Sequence, residues 1–466
     1  MREKHSINKI ISLNVISTVI LEGIAMLTAP VFSRLLGTAN YGIFSLFNTW
    51  SGFLILTLGA QTSGVVPMAK SHIPENALDQ YHSSVMWMST AFFLVGSGVC
   101  LLFAAPLSNL LGIPRAAYVM MFPYAFGSFC VQYLNTKMIH DYRADVNCIL
   151  SVCVAVSTAG LSLLLVFALP TDINYMGRIG GMTAVYLLCG VGILIYFTAK
   201  GKTLYQADYW KFCLPLCLPL IVHGLSGQVL GQSDRIMLNY YLKESAVGIY
   251  SLAYAFSNII SIIWSSLNTA WVPFYYDYTR RGEYAQLHQR AGRYMELYTI
   301  LTLGFLLLCP DVFRIYADRS YWDGISMIPI FVIGFYFVYL YSFPVNYEFY
   351  QKRTKTIAAG TLLSGIVNLI LNWIMIRIFG VFGAVFATTI ARGCQFAFHY
   401  FIAARVIGKN DFPFRPSFLL TPMALVTAVG LSISWIGNGL FLVRWAIGAV
   451  LGIWELRRIL QRKSLF

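Results

Sequence analysis

Within long apolar runs this chain carries a handful of ionisable side chains, and their types define the chemistry to look for. Arg392 stands near the middle of the run 381–404, with His399 two helical turns further along. A guanidinium presents a planar fork of donors that matches phosphate and other oxyanions, so Arg392 is a candidate anion ligand. A bond to Glu22 or to a carbonyl is the structural alternative. Glu22 sits midway along the run 9–33, and Asn14, Thr18 and Glu22 follow an i, i+4, i+8 spacing that aligns them on one helical face. A carboxyl there could hold a coupling cation or a proton. Asp234 and His223 are further ion-coupling candidates, although a buried, hydrogen-bonded histidine is the simpler reading of His223. Gly224, Gly227 and Gly231 around it would allow close helix approach or a bend. Arg34 and Arg235 end corresponding runs, where they could bind an anion, make gating bonds with Asp234, or snorkel to headgroups.

A second pattern is uncharged. Tyr254, Ser257, Asn258, Ser261, Ser265 and Asn268 recur at helical spacing, with Trp264 alongside. Hydroxyls, amides and an indole suit a polyhydroxylated ligand, since the polar groups meet hydroxyls and the ring stacks on C–H faces. Asn368 and Asn372, one turn apart, receive the same reading, and hydrogen-bonded helix packing is the competing one. A weaker stripe, Asn48, Ser51, Gly52, Gly59 and Thr62, occupies an earlier run.

The elements that must position these groups are membrane helices. Hydrophobic residues make up 58% of the chain and charged residues 11%, far from the balance of a soluble domain. About fourteen runs reach the length of roughly 20 apolar residues that a spanning helix needs. They cover 9–33, 42–67, 84–106, 116–136, 147–169, 178–199, 212–233, 247–270, 294–312, 325–346, 356–378, 381–404, 417–436 and 439–459. Counted on alternate sides, Lys and Arg number about 23 on the side of the N-terminus and about nine on the other, which places both termini in the cytoplasm. Arg178 falls on the outer side in that count, and Arg280, Arg281, Arg290 and Arg293 make the longest basic cytoplasmic loop. The net charge of +14 is scattered over short loops, which argues against nucleic acid as a partner. The nine cysteines fall in or beside apolar runs without metal or redox spacing and read as small core residues. Trp271, Tyr275, Tyr276, Tyr278, Tyr321 and Trp322 read as an interfacial aromatic belt. The basic start and first run resemble a signal peptide, but without a small-residue cleavage site an uncleaved first span is expected.

The chain also repeats itself. Tyr-Gly-Ile-Phe-Ser-Leu at 41–46 returns as Val-Gly-Ile-Tyr-Ser-Leu at 247–252, and at the same offset Ser51 meets Ser257, Pro67 meets Pro273 and Pro123 meets Pro329. Six spans separate the copies, so both enter from the same side, a parallel repeat. The expected organisation is an all-α polytopic membrane protein with a lobe over 1–205, a second over 206–408, and two additional spans with a basic tail over 409–466. Two such lobes usually enclose a shared aqueous chamber and work by alternating access.

Three segments carry a family resemblance. They are Pro30-Val-Phe-Ser-Arg-Leu-Leu-Gly37 followed by Tyr41-Gly-Ile-Phe-Ser45; Asp234-Arg-Ile-Met-Leu-Asn-Tyr-Tyr-Leu242 followed by Val247-Gly-Ile-Tyr-Ser251; and Lys355-Thr-Ile leading through Asn368 and Asn372 to Gly380-Val-Phe-Gly-Ala-Val-Phe-Ala-Thr388. Together they resemble the polysaccharide transport family, the O-antigen and capsule repeat-unit flippases of the multidrug/oligosaccharidyl-lipid/polysaccharide exporter superfamily. The resemblance implies a MATE-like V-shaped bundle in the bacterial inner membrane. It also implies that an undecaprenyl-diphosphate-linked oligosaccharide crosses to the outer leaflet, with a polysaccharide polymerase and chain-length machinery as pathway partners. On that reading Arg392, Arg34 and Arg235 meet the diphosphate, while Asn258, Ser261, Trp264, Ser265, Asn268, Asn368 and Asn372 meet the sugar. No cofactor or metal is implied beyond proton or sodium coupling. The rivals are a cation-coupled drug or metabolite antiporter of the same superfamily and a multi-spanning polysaccharide polymerase. The short loops leave a polymerase no room for a catalytic domain.

Overall fold

Backbone groups in lipid must be satisfied within their own segment, and the chain answers with helices throughout. The structure, a computed structural model, describes the backbone of residues 2–141, 143–407, 412–437 and 439–462, and side chains from residue 23 onward except those of residues 25, 144 and 462. Glu22, Asn14 and Thr18 therefore lie outside the described side chains. Among the described residues fifteen α-helices follow in order: α1 (Arg2–Leu58), α2 (Val66–His72), α3 (Leu78–Leu102), α4 (Ala104–Leu111), α5 (Arg115–His140), α6 (Ala144–Ala168), α7 (Tyr175–Gly201), α8 (Ala207–Ser257), α9 (Ile259–Arg281), α10 (Tyr284–Tyr316), α11 (Ile328–Tyr350), α12 (Thr354–Phe379), α13 (Val381–Phe401), α14 (Pro416–Ile436) and α15 (Phe441–Arg462). No strand occurs among the described residues. Ten helical runs among them are long and apolar enough to cross a membrane, and one, Ala207–Arg281, is 75 residues long and exceeds a single crossing. Leu102, Leu110, Leu442 and Trp435 are 82%, 79%, 78% and 90% exposed, an apolar exterior that suits lipid and not water.

The chain divides into two compact units, Met1–Gly248 and Ile249–Phe466. The boundary expected at 205/206 precedes α8, whereas this division falls inside it. The first part of α8 packs with the helices that precede it. Cys213 and Cys217 join Tyr81, Val85, Phe129, Tyr133 and Phe197 in the core of the first unit, and the Trp210 indole donates to Ser84 Oγ at 3.1 Å. In this unit α7 packs on α5, α6 and α3, and α1 on α6.

Both α1 and α8 contain a kink. Gly37 takes φ 69°, ψ 176° in α1, and Lys243 takes φ 70°, ψ −179° in α8. The positions lie 206 residues apart, the offset seen in the sequence. Glycine adopts this conformation freely, while a lysine there is strained. Just beyond the kinks α1 and α8 cross at close range. A Cβ on Gly42 would fall 1.9 Å from the Glu244 carbonyl oxygen, and one on Gly248 would fall 2.0 Å from that of Thr38.

In the second unit α13 packs on α12 and α11, α14 on α11, and α15 on α10. Several rings expected in an interfacial belt fill the core of this unit instead. Trp271, Tyr275 and Tyr321 are fully buried, and Trp271 stacks on Tyr294 with centroids 5.1 Å apart. Tyr339 and Phe343 of α11 pack against Tyr294 and Trp271, so rings from α9, α10 and α11 form one cluster. The cysteines also divide. Cys130, Cys213, Cys217 and Cys309 are buried as expected, but Cys153 and Cys394 are exposed, because a thiol is apolar enough for a lipid-facing surface.

Ionic contacts fasten α15. Arg444 Nη2 lies 2.8 Å from Asp311 Oδ2, its Nη1 donates to the Leu307 carbonyl at 2.7 Å and its Nε to that of Gly439 at 2.8 Å. Arg458 pairs with Glu296 on the same two helices. Replacing Arg444 with Met takes the cation from Asp311, which keeps only the Trp445 indole as donor, and leaves the Leu307 and Gly439 carbonyls without theirs; it is expected to cost about 3–5 kcal/mol. The measurement is thermal unfolding in detergent; an unchanged midpoint would show that the pair does not hold α15.

Candidate functional site

The second unit holds the cation singled out in the sequence. Arg392, half-buried on α13, donates from Nη2 to the Tyr254 hydroxyl at 3.1 Å. Its guanidinium carbon lies 4.3 Å from the Phe335 ring centroid and 5.8 Å from that of Tyr254. Nη1 is buried without a hydrogen-bond partner. Gly334 leaves the room for this seat, since a Cβ at 334 would stand 3.3 Å from Nη1. No carboxylate pairs with Arg392 among the described residues. Two aromatic faces and one phenol hold the fork in place while its charge stays uncompensated, which suits a site for an oxyanion.

The uncharged stripe is not one surface. Tyr254 serves Arg392, while Ser257 is fully buried and donates to the Ala253 carbonyl of its own helix at 2.7 Å. Asn258 stands at the break where α8 ends and α9 begins. Beyond it Ser261 is half-buried and Ser265 exposed. Trp264 and Asn268, four residues apart on one face of α9, each bury a polar atom, Nε1 and Oδ1, without a partner. Those two atoms are the unmet hydrogen-bonding capacity of the stripe.

Asn368 and Asn372 correct an expectation. They are 1% and 0% exposed, so neither presents a surface to a sugar. Asn372 Nδ2 donates to Asn368 Oδ1 at 3.0 Å, and Asn368 Nδ2 to Thr388 Oγ1 at 3.3 Å. Ser364 Oγ donates to the Ala391 carbonyl at 3.2 Å. The amides join α12 to α13, the role that polar groups take at helix contacts in lipid.

In the first unit Arg34 is exposed, whereas Asp234 and Arg235 are buried. Arg235 Nη1 donates to the Gly231 carbonyl at 3.2 Å, so its side chain lies along α8 and does not reach for headgroups. His223 is exposed, not buried. Of the glycines around it, Gly227 and Gly231 have nothing within 4 Å of where a Cβ would stand, and only Gly224 approaches neighbours, with Gln61 Nε2 nearest. The early stripe is absorbed by packing: Gln228 Nε2 donates to the Thr49 carbonyl and abuts Gly52, and Thr62 Oγ1 bonds Ser89 Oγ at 2.9 Å.

Two features lie outside the expectations drawn from sequence. Arg178, there only an outer-side charge, lies 3.8 Å above the Phe32 ring and 5.1 Å from that of Phe44. Its Nε and Nη1 are buried without partners. The run 178–199 puts it at a span edge, but α7 begins at Tyr175 and carries Arg178 inside the helix. A span edge at 346 leaves Glu348 in a loop, but α11 continues to Tyr350 and places Glu348 against His399 on α13, 2.6 Å apart.

A many-spanning bundle with cations held among its helices defines a polytopic membrane protein. The chain belongs to the polysaccharide biosynthesis protein family, whose pattern matches residues 7–278. It is 21% identical to Lsg locus putative protein 1 of Haemophilus influenzae over 353 residues, 74% of this chain and 85% of that protein. It is 23% identical to the succinoglycan biosynthesis transport protein ExoT of Rhizobium meliloti over 308 residues, 63% of this chain and 57% of that one. Among solved structures it is similar to the lipid II flippase MurJ in an inward closed conformation, with a TM-score of 0.67 at 16% identity, covering 94% of this chain and 96% of that one. At that identity the likeness establishes the fold.

Proposed function

We propose that the chain is a flippase that carries an undecaprenyl-diphosphate-linked oligosaccharide repeat unit from the cytoplasmic to the outer leaflet by alternating access. The observation that carries this reading is Arg392, a half-buried guanidinium with one donor bonded to Tyr254, one donor unmet, and no acid partner among the described residues. A charge inside a span is costly and is retained for a ligand. Arg392 meets the diphosphate, and Trp264 and Asn268 supply the indole and amide that a sugar would complete. Family membership and the likeness to a lipid II flippase and to a succinoglycan transport protein support the same substrate class. The protein acts in the bacterial inner membrane with both termini cytoplasmic, as a transporter and not an enzyme, upstream of a polymerase.

The test is a chromosomal deletion with the lipid-linked repeat unit assayed on each face of membrane vesicles. The expected result is repeat units held on the cytoplasmic leaflet and no surface polymer. Normal polymer together with drug hypersensitivity would favour a cation-coupled antiporter. Repeat units on the outer leaflet without polymer would favour a polymerase.

A further inference from the structure

Two turns from Arg392 on the same face of α13, His399 closes a buried acid–base pair. Its Nδ1 lies 2.6 Å from Glu348 Oε1, and both side chains are 0% exposed. Three helices enclose the pair. From α12 the Thr356 hydroxyl donates to Glu348 Oε2, and Gly360 covers the other edge of the imidazole, where a Cβ would fall 2.3 Å from Nε2. From α11 the Tyr341 ring stands edge-on to the imidazole at 4.9 Å. His399 Nε2 has no hydrogen-bond partner. Besides the pair itself, the charged side chains on these elements are Arg392 on α13, two turns away, Arg377 in the last turn of α12, and Lys352, Arg353 and Lys355 near the turn between α11 and α12, the last three exposed. No described cation forms an ion pair with Glu348 apart from His399 itself.

We propose that Glu348 and His399 form a proton-binding site that is linked to the occupancy of Arg392 by an anion. With a neutral imidazole donating Nδ1–H to an ionised carboxylate, the pair holds one net negative charge away from water, a costly state. One proton from water neutralises it. That proton adds either to Nε2, giving imidazolium against carboxylate, or to the carboxylate, giving an acid against neutral imidazole. In both forms the Nδ1···Oε1 hydrogen bond survives; in the second the new Oε2–H donates to Thr356 Oγ1, whose own hydrogen turns to the Arg353 carbonyl.

The linkage follows from placement on one helix. Seven residues of α-helix separate the pair from Arg392 by about 10 Å. At an effective dielectric of about 20, a unit negative charge at that distance weakens binding of a second anion on the order of tenfold. Protonation of the pair removes that repulsion, and by reciprocity an anion at Arg392 raises the pair's affinity for the proton. Anion binding is therefore tighter at low pH and weakens as pH rises. The linkage, but not the proton site itself, rests on Arg392 being the anion ligand.

Two measurements on the purified full chain in nanodiscs separate these parts. Infrared difference spectra between pH 5 and pH 8, taken without any anion, are expected to show a carboxyl or imidazole band that is absent from both Glu348→Gln and His399→Gln. A wild-type spectrum without such a band, or variants that retain it, would remove the proton site. Titration with a short-prenyl diphosphosugar, a diester with no group ionising in this range, is expected to give about tenfold tighter binding at pH 5 than at pH 8. Glu348→Gln, a neutral mimic of the protonated pair, is expected to bind at the low-pH level throughout. A wild-type affinity independent of pH, or an unaltered pH slope in Glu348→Gln, overturns the linkage. If no probe binds at any pH while the infrared band is present, the proton site stands and the anion reading of Arg392 fails, taking the linkage with it.

Discussion

Replacing Arg392 with Gln is expected to weaken binding of a short-prenyl diphosphosugar by about 10- to 100-fold, because a hydrogen bond to a charged group contributes roughly 1.5–3 kcal/mol. Folding stability should fall much less. The guanidinium has no acid partner to strand among the described residues, and what it loses is a bond to Tyr254 and a face-on contact with Phe335. The variant therefore separates a ligand-binding group from a structural one. Arg392→Lys retains the charge but not the fork, and an intermediate affinity is expected. In cells, Arg392→Gln should reduce surface polymer while the protein remains in the membrane at normal abundance. Wild-type affinity and polymer in that strain would remove Arg392 from the site.

The second large effect lies at the crossing of α1 and α8. Gly42→Val and Gly248→Val each introduce atoms where a backbone carbonyl already stands, at 1.9 and 2.0 Å from the nearest added carbon. Backbone cannot rotate away as a side chain can, so the helices must separate. Overpacking of this kind costs about 1–3 kcal/mol, and a lowered thermal midpoint in detergent is the expected readout. Gly98→Val is the control, since nothing lies within 4 Å of a Cβ there. Both glycines serve one crossing, so the double variant should cost less than the sum of the single ones. Additive losses, or no loss in Gly42→Val, would show that the close approach is not a constraint.

Much of the fold could be read from the chain because lipid imposes one rule on every backbone. Apolar runs long enough to cross had to be helices, and the structure is helical in those places. The offset of 206 that joined Tyr41-Gly-Ile to Val247-Gly-Ile returns in the matched kinks at Gly37 and Lys243. A backbone angle of that kind is not visible in composition, particularly where lysine stands in place of glycine. The site was legible in part. Arg392 stood out because a lone cation in an apolar run has few explanations. Asn368 and Asn372 were equally visible, but a polar pair one turn apart looks the same whether it faces a ligand or a neighbouring helix. Thr388 on α13 settled that choice.

Periodicity along a segment names the face on which a residue lies, and so the amino-acid order alone established helices, the lipid-facing exterior and the isolated cations within. It carries no information about which helix stands opposite that face. Glu348 and His399 are 51 positions apart and meet only because α11 and α13 pack side by side. The rings of Trp271 and Tyr294 stack in a core and not at an interface for the same reason. Partnership between distant side chains depends on how helices assemble, and that assembly is governed by packing summed over many contacts, not by any one stretch of chain.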